Sequence, residues 1–434
     1  MTGASCAPSV SIQGAAQLLR PPSDGLPHLR GAELAAQTLD PGCVAVRAGR
    51  IASLEADPGA DVRIDASGCA VVPGFVDCHT HLPFAGWRER EYEQKLAGVP
   101  YEEIARRGGG IAASARALRE SDDERVLAQS TGLAAEMLAA GTTTFECKSG
   151  YGLSRHGELR ALSLARELGH RVRQRTTSTA LLAHAVPPGQ TADGWMDVVR
   201  GMIGEVLALG GVTALDIFVE SIAFSNSHLE AMGELARGAG LALRCHVEQF
   251  ATHGSVPVAL SAGARSVDHL SAMPASDIPA LARAQCAAVL LPIAEFLGAE
   301  RRAPGRALID AGALVVLATD ANPGTAPSVS MPVAIGLGAR LYGLSARETL
   351  GAATLNAAWV LGLERDSGSI EVGKRGDLLV LDGPVEAIAY RFARSPVAIA
   401  LIGGELAYVR DERAAARITG AAVAPRITGA GVAP

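Results

Sequence analysis

The sequence lacks several features that would place it in a common class of protein. Its seven cysteines are odd in number and scattered, without a CxxC pair, so we expect no disulfide framework and a reducing compartment. Lys and Arg number 39 against 45 Asp and Glu, and no basic stripe appears, which argues against nucleic-acid binding. No apolar run approaches the roughly 20 residues that span a bilayer. The first residues, MTGASCAPSVSIQG, lack the basic and apolar regions of a secretory signal, so a cytoplasmic protein is expected.

The composition is that of a folded chain with a large core. Hydrophobic residues make up 48% of the 434 positions. Short apolar segments alternate with amphipathic ones, which is the pattern of repeated strand–helix units. The eight candidate strands are GFVDCHTH, GTTTFECKS, STALLAH, ALDIFVE, LALRCHVEQ, ARSVDHL, AAVLLP and LVVLATDANPG. They predict a (β/α)8 barrel over residues 73–368, whereas a doubly wound sheet is disfavoured because no GxGxxG follows the first strand.

The two ends of the chain have a different texture. Short strand-like segments with Gly and Pro turns occur in residues 1–72, although the first 40 or so are weakly periodic, and similar segments return in residues 369–412. We therefore predict a small β-sandwich domain built from both ends. Residues 413–434 contain RITGAAVAP followed at once by RITGAGVAP. Two copies of nine residues are too few to stack as a repeat fold, so we predict a disordered tail.

Histidines are few, yet they fall at the ends of several candidate strands. His79 and His81 are two apart and share one face of the first strand. His246, His269 and Asp320 end the fifth, sixth and eighth strands, and these ends share one mouth in a (β/α)8 barrel. An isolated HxH is more often a hydrogen-bonded pair, but this coincidence favours a metal site. Three imidazoles and a carboxylate suit Zn²⁺ or Fe and leave room for an activated water.

Longer motifs around these residues resemble a known group of enzymes. HxH, the later histidines and the terminal aspartate resemble the amidohydrolase superfamily. The motifs that resemble its imidazolonepropionase family more closely are HTHLPFAGWRERE, YEEIARRGGGI, ECKSGYGL, LLAHAVPPG, HVEQ, VDHL and ATDANPGT. The similarity runs from about residue 40 to residue 408, and KSGYGL, AHAVP and NPGT are specific to this family.

The resemblance implies a function and a set of site residues. It implies hydrolysis of 4-imidazolone-5-propanoate to N-formimidoyl-L-glutamate in histidine catabolism, with one Zn or Fe ion per subunit of a homodimer. The implied metal ligands are His79, His81, His246 and Asp320. Asp320 is also implied to take the proton of the water, and His269 to stabilise the oxyanion. The implied substrate contacts are Arg88, Tyr101, Tyr151, His184, Gln249 and Thr325, with Asn322 and Gly324 contacting the ring-opened product.

Elementary chemistry supports some of these roles and leaves others open. The guanidinium of Arg88 can offer two parallel N–H donors to a propionate carboxylate, although by itself it would be read as a solvated charge. Strict alternation along the fifth strand selects Glu248 beside His246, whereas the family selects Gln249. The NPGT turn is predicted to offer backbone N–H groups to an oxygen of the substrate.

Three other residues near the strand ends, Lys148, Cys78 and Cys245, are not predicted to bind the metal. Relatives that bridge two metals carry a carbamylated lysine on the fourth strand. Lys148 follows the second, so one ion is predicted. Cys78 and Cys245 neighbour the candidate ligands but alternate away from them and are predicted to be small buried residues. The seventh strand is followed by one aromatic residue, Phe296, where the family carries several.

Two rival functions are distinguishable. Another amidohydrolase acting on a ring, such as a purine or pyrimidine deaminase, would leave Arg88 and KSGYGL without a purpose. A catalytically inactive barrel serving as a scaffold would not be expected to retain four intact metal ligands. Metal content separates the scaffold from the enzymes, and turnover separates the enzymes from each other.

Overall fold

A computed structural model describes residues 8–298, 301–392 and 394–420. Within these ranges the strands form one sheet of nine and one of eight. The strands are β1 (Val10–Arg20), β2 (Thr38–Arg47), β3 (Arg50–Ser53), β4 (Val62–Asp65), β5 (Ala70–Pro73), β6 (Phe75–Asp77), β7 (Thr142–Lys148), β8 (Arg175–Ala183), β9 (Val212–Phe218), β10 (Ala242–Val247), β11 (Ser266–His269), β12 (Ala287–Leu290), β13 (Leu314–Leu317), β14 (Leu378–Leu381), β15 (Val397–Ile402), β16 (Glu405–Val409) and β17 (Ile418–Gly420).

The described helices lie between the barrel strands and in the segments before and after the barrel. They are α1 (Ala32–Ala35), α2 (Glu89–Leu96), α3 (Tyr101–Arg106), α4 (Ile111–Glu120), α5 (Asp123–Ala139), α6 (Arg155–Arg171), α7 (Ala192–Leu209), α8 (Asn226–Ala239), α9 (Ser255–Ala262), α10 (Ile278–Arg283), α11 (Pro292–Gly298), α12 (Gly305–Asp310), α13 (Met331–Tyr342), α14 (Ala346–Ala352), α15 (Leu355–Val360), α16 (Glu386–Tyr390) and α17 (Glu412–Ala415). None of the described helices is both long enough and apolar enough to cross a membrane.

Strands β6 to β13 form the predicted barrel. They lie in chain order and every neighbouring pair is parallel, as connections through helices require. Each overlaps one of the eight apolar segments of the sequence, although β8 and β9 begin before their segments, at Arg175 and Val212. Helices cover the outside of the barrel, and side chains fill its interior. The predicted (β/α)8 barrel is confirmed.

The seam between the first and last barrel strands is closed at the mouth. The N–H of Asp320 donates to the carbonyl of His79 at 3.0 Å, and the N–H of His81 donates to the carbonyl of Ala321 at 2.9 Å. One level below, the buried carboxylate of Asp77 accepts hydrogen bonds from the N–H and the hydroxyl of Thr319, at 3.1 and 2.5 Å. The backbone that closes the barrel therefore carries three of the candidate metal ligands, His79, His81 and Asp320.

The nine-stranded sheet joins the two ends of the chain, as predicted. β1 pairs with β2 along its length, with β4 along its first half and with β5 along its second half. β5 then pairs antiparallel with β14, the first strand of the carboxyl-terminal segment. Buried residues of β1, β2, β4, β14 and β15 share one apolar cluster. The strands of the predicted sandwich are thus hydrogen-bonded into one sheet over a common core.

Two terminal regions are more ordered than the sequence suggested. The weakly periodic first 40 residues contain β1 and α1, and Leu29 exchanges two hydrogen bonds with the side chain of Asn356, at 2.7 and 2.9 Å. For residues 413–420 the prediction of disorder is wrong. They include the end of α17 and all of β17, whose Ile418 pairs with Ile64 of β4. Residues 421–434, which hold the second copy of the duplication, lie outside the described residues.

Candidate active site

The mouth of the barrel brings together the five residues singled out at the strand ends. The ring centroids of His79 and His246 are 4.5 Å apart, and those of His79 and His81 are 5.3 Å apart. Asp320 Oδ1 lies 3.4 Å from His79 Nε2 and 3.3 Å from His81 Nε2. The candidate ligand atoms of His79, His269 and Asp320 lie within 4.8 Å of one another, as do those of His79, His81 and His246. All five side chains are buried.

The orientation of two imidazoles fits a metal ion. His79 Nδ1 lies 2.6 Å from Asp268 Oδ2, and His246 Nδ1 lies 3.0 Å from Asp216 Oδ1. Because a carboxylate oxygen accepts, the proton of each ring is on Nδ1 and the lone pair is on Nε2. Both Nε2 atoms are buried and have no hydrogen-bond partner among the described residues. A carboxylate behind each imidazole and an unpartnered nitrogen in front of it are the arrangement found in histidine-bound metal sites.

Burial also sets the protonation of the cluster. It lowers the pKa of His79 and of His81 well below the usual histidine value, and lowers the pKa of His269 to about 3. Burial raises the pKa of Asp320, while the neighbouring His269 opposes that change. Neutral imidazoles are the form that binds a metal ion. His79, His81 and His269 are therefore in the form that can bind a cation at neutral pH.

The low pKa of His269 predicts a specific effect of pH on stability. Between about pH 6.5 and pH 3 the unfolded chain protonates this histidine and the folded chain does not, so acid favours unfolding through this group. Asp77, whose pKa burial raises to about 7, acts in the opposite direction, so we compare variants rather than absolute stabilities. In metal-free protein, the melting temperature of wild type relative to His269→Asn should fall as the pH is lowered from 7.5 to 5. A difference that does not change with pH would contradict this expectation.

The backbone around the mouth is strained. Glu248, His269, Leu270 and Asp320 have φ values of 53°, 80°, 67° and 58°, in the left-handed region that non-glycine residues rarely adopt. Such conformations cost on the order of 1–3 kcal/mol each and concentrate at functional sites. Here they turn the chain at the ends of β10, β11 and β13, so that side chains of these segments face the mouth.

A pocket opens beside the imidazoles and contains most of the predicted substrate contacts. Apolar walls come from Ile111, Phe218 and Phe250. The predicted contacts that line it are Arg88, Tyr101, Tyr151, His184, Gln249, Asn322 and Thr325. Phe296, the single aromatic residue after the seventh strand, is 62% exposed and is absent from the lining. The aromatic wall is thus supplied from β9 and from the segment after β10.

Arg88 is held in the pocket wall rather than solvated. Its side chain is 7% exposed, its Nη1 donates to Ser114 Oγ at 3.3 Å, and its Nε lies 3.4 Å from Glu91 Oε2. The guanidinium also lies directly against Gly324, where a Cβ atom would collide with it. The guanidinium of Arg88 thus occupies the space that the absence of a side chain at Gly324 leaves open.

The loop that carries Tyr151 is held by a carboxylate that sequence reasoning missed. Buried Glu158 accepts hydrogen bonds from the N–H groups of Gly150, Gly152 and Leu153, at 2.8, 2.7 and 2.9 Å. The carbonyl of Gly150 lies 3.0 Å from His184 Nδ1, and the ring of His184 stacks on His81 at 5.2 Å. The signal was available, because Glu158 lies in the first turn of α6, the helix that follows the glycine-rich loop, where a carboxylate can accept from free backbone N–H groups.

The geometry favours Gln249 over Glu248 as the residue that faces the substrate pocket. Glu248 accepts from the N–H groups of His253 and Ser255, at 2.8 and 2.7 Å, and so fixes the start of α9. Gln249 lines the pocket. Glu220, which follows β9, accepts from the N–H of Phe250 at 2.7 Å and holds this segment in place.

One prediction about the NPGT turn is wrong. The N–H groups of Gly324 and Thr325 donate to Asn322 Oδ1, at 2.9 and 2.8 Å, and Asn322 Nδ2 donates to the carbonyl of Asp320 at 2.7 Å. The backbone donors expected to face a substrate oxygen are therefore used within the turn. Asparagine side chains commonly accept from the backbone two or three residues onward, which explains the difference.

Comparisons with known proteins agree with this geometry. A family model described as the amidohydrolase family matches residues 111–413. A solved triazine hydrolase variant superimposes with a TM-score of 0.71 at 18% identity, covering 94% of this chain and 98% of that one. An adenosine deaminase from Xanthomonas campestris with bound zinc superimposes with a TM-score of 0.64 at 19% identity, covering 92% and 93%. These two likenesses concern the fold. The chain belongs to the amidohydrolase family.

Relatives of higher identity define the position within that family. An imidazolonepropionase of Rubrobacter xylanophilus is 42% identical over 393 residues, which are 87% of this chain and 94% of the relative. The imidazolonepropionase of Paracoccus denitrificans is 40% identical over 385 residues, covering 85% and 94%. Within the amidohydrolases, the chain is a member of the imidazolonepropionase group.

Proposed function

We propose that this chain hydrolyses the ring amide of 4-imidazolone-5-propanoate to give N-formimidoyl-L-glutamate, a step in the degradation of histidine. The observation that carries the proposal is a buried arginine in the same pocket as a cluster of buried imidazoles and one carboxylate. The pocket thus offers a partner for a carboxylate beside the place where a ring amide could be attacked. Relatives named imidazolonepropionase at about 40% identity support the same conclusion.

His79, His81, His246 and Asp320 would hold one metal ion per chain, as Zn²⁺ or Fe. A bound ion of this kind supplies an activated water and polarises the carbonyl under attack. In the proposed reaction Asp320 receives the proton of the attacking water, a role favoured by its raised pKa. His269, neutral at pH 7 because of its low pKa, can donate an N–H to the oxygen that becomes negative.

The remaining predicted residues bind and orient the substrate in this proposal. Arg88 clamps the propionate carboxylate, so that the ring is presented to the imidazole cluster in one orientation. The ring contacts are proposed for Tyr101, Tyr151, His184, Gln249 and Thr325, and the contacts to the opened product for Asn322 and Gly324. Since the amide of Gly324 is used within its turn, its proposed contribution is the space it leaves for the guanidinium of Arg88.

The proposal extends to the organisation of the protein. Residues 73–368 would form the catalytic barrel, and residues 8–72 and 369–420 would form the small sheet domain. We further propose a homodimer that acts in the cytoplasm.

The function is tested by turnover. Purified protein of known metal content is incubated with 4-imidazolone-5-propanoate, and formation of N-formimidoyl-L-glutamate is followed by mass spectrometry, before and after removal of the metal by a chelator. We expect product from the metal-loaded protein and none from the depleted protein. Release of ammonia from adenosine or cytosine without this product would instead indicate a deaminase. Metal-loaded protein that converts none of these compounds would indicate an inactive scaffold.

A further inference from the structure

Five charged side chains fill the barrel interior beneath the imidazoles, and the proposed reaction uses none of them directly. They are Glu146, Lys148, Asp216, Arg244 and Asp268, and all are fully or almost fully buried. The interior of a (β/α)8 barrel is ordinarily filled by branched apolar side chains. Taking charges out of water is costly and seldom stabilises a fold by itself. Packing alone therefore does not account for these five charges.

The cluster has two arms, and each ends on an imidazole. In the first, Asp268 Oδ2 accepts from Arg244 Nη2 at 2.7 Å and lies 2.6 Å from His79 Nδ1. In the second, Asp216 Oδ2 accepts from Lys148 Nζ at 2.7 Å, while its Oδ1 lies 3.0 Å from His246 Nδ1. Each carboxylate that orients a candidate metal ligand is thus itself held by a buried cation.

Glu146 joins the two arms. Its Oε1 accepts from Arg244 Nη1 at 2.5 Å and also from the hydroxyl of Thr179, and its Oε2 lies 3.0 Å from Lys148 Nζ. Arg244 Nη1 also donates to the carbonyl of Cys78 at 2.6 Å, in the strand end that carries His79. Both imidazoles are therefore oriented through one connected set of ion pairs, in which Glu146 contacts both cations and neither imidazole.

We propose that Glu146 is a positioning residue for the metal centre. Its carboxylate pairs with both Arg244 and Lys148. Because these cations in turn hold Asp268 and Asp216, Glu146 keeps both carboxylates aligned on the Nδ1 atoms of His79 and His246. Both Nε2 lone pairs are then directed to one point before the ion arrives. Without the charge of Glu146, each cation retains only one carboxylate of the pair it now has, and the two imidazoles are no longer aligned together. The inference rests on the metal site of the proposed function.

The test measures metal affinity directly. The Zn²⁺ dissociation constant of the full-length protein is determined by competition with a chelator of known affinity, and the melting temperature of the metal-free protein is measured alongside. Glu146→Gln should raise the dissociation constant about 10- to 100-fold, the range typical of residues behind metal ligands. The matched control is Glu348→Gln, which removes another buried carboxylate paired with an arginine, Arg306, at 3.0 Å and outside this cluster.

The control separates positioning from packing. If Glu146 only fills the barrel, Glu146→Gln should lower the melting temperature and leave the Zn²⁺ dissociation constant of folded protein equal to that of the control, which would overturn the proposal. If Glu146→Gln does not fold, Thr179→Val decides, because it removes one hydrogen bond to Glu146 and keeps every charge. We expect it to weaken Zn²⁺ binding by roughly threefold to tenfold, and unchanged binding would overturn the proposal. Since no substrate is used, either result is independent of whether the proposed substrate is turned over.

Discussion

Replacing Asp320 with asparagine should lower kcat for 4-imidazolone-5-propanoate by roughly 10²- to 10⁴-fold, the usual contribution of a positioned acid or base. The carboxamide has nearly the same shape, but it cannot take up the proton of the attacking water. Asp320 Oδ1 lies within 3.4 Å of the Nε2 atoms of both His79 and His81, and no other described carboxylate is within 4.0 Å of either atom. Asparagine would therefore leave the attacking water without an acceptor. Steady-state kinetics at saturating metal measures the effect.

A matched substitution controls for general damage in that experiment. Asp366→Asn removes a carboxylate that pairs with Arg50 and Arg175, at 2.8 and 2.7 Å, away from the mouth. Its kcat should stay within a few-fold of wild type. An Asp320→Asn enzyme that retains kcat within tenfold of wild type, at equal metal content, would remove Asp320 from the proton-transfer step.

The second large effect is expected for Arg88→Lys. Lysine keeps the charge but replaces two parallel donors by one ammonium that cannot match a carboxylate in the same way. Losing one hydrogen bond to a charged group costs about 1.5–3 kcal/mol, which corresponds to roughly a 10- to 100-fold rise in KM. The bound metal should be unchanged, because Arg88 contacts Ser114, Glu91 and Gly324 rather than the imidazoles.

The neighbouring Arg90 provides the control for Arg88. It lies in the same WRER run but is exposed, so Arg90→Lys should leave both KM and kcat unchanged. A KM for Arg88→Lys equal to that of the Arg90→Lys control would mean that Arg88 does not bind the carboxylate. A loss of metal together with the rise in KM would point instead to collapse of the pocket wall around Gly324.

The sequence was informative where a pattern is local. A spacing of two between His79 and His81 places both on one face of a strand, and apolar runs that are buried on both sides mark the barrel strands. The end of each strand could then be located, which brought His246, His269 and Asp320 into one predicted mouth. Local patterns could thus predict the barrel and the candidate ligands together.

What could not be predicted depends on partners that are distant along the chain. Arg244 and Glu146 are 98 positions apart, and nothing in either segment shows that the two side chains meet inside the barrel. The same holds for Asp268 and His79, which are 189 positions apart. The prediction for the NPGT turn was wrong for a different reason. The side chain of Asn322 accepts from the backbone N–H groups that were expected to face the substrate. Strand β1 was not predicted because its residues show no regular alternation of apolar and polar side chains. It pairs with three other strands, β2, β4 and β5, and does not depend on such a pattern.

The seam at the mouth has a consequence for how the protein matures. Asp77 and Thr319 are separated by 242 positions, and the hydrogen bonds that join their strands lie immediately beneath the candidate ligands. A contact between such distant segments has a high loop-closure cost and is expected late in folding. The ribosome must therefore have translated the chain beyond Asp320 before all four candidate ligands can assemble at the mouth. Nascent or truncated chains that end before Thr319 would lack Asp320 and could not bind metal through the complete set of four ligands, however well their early strands had folded.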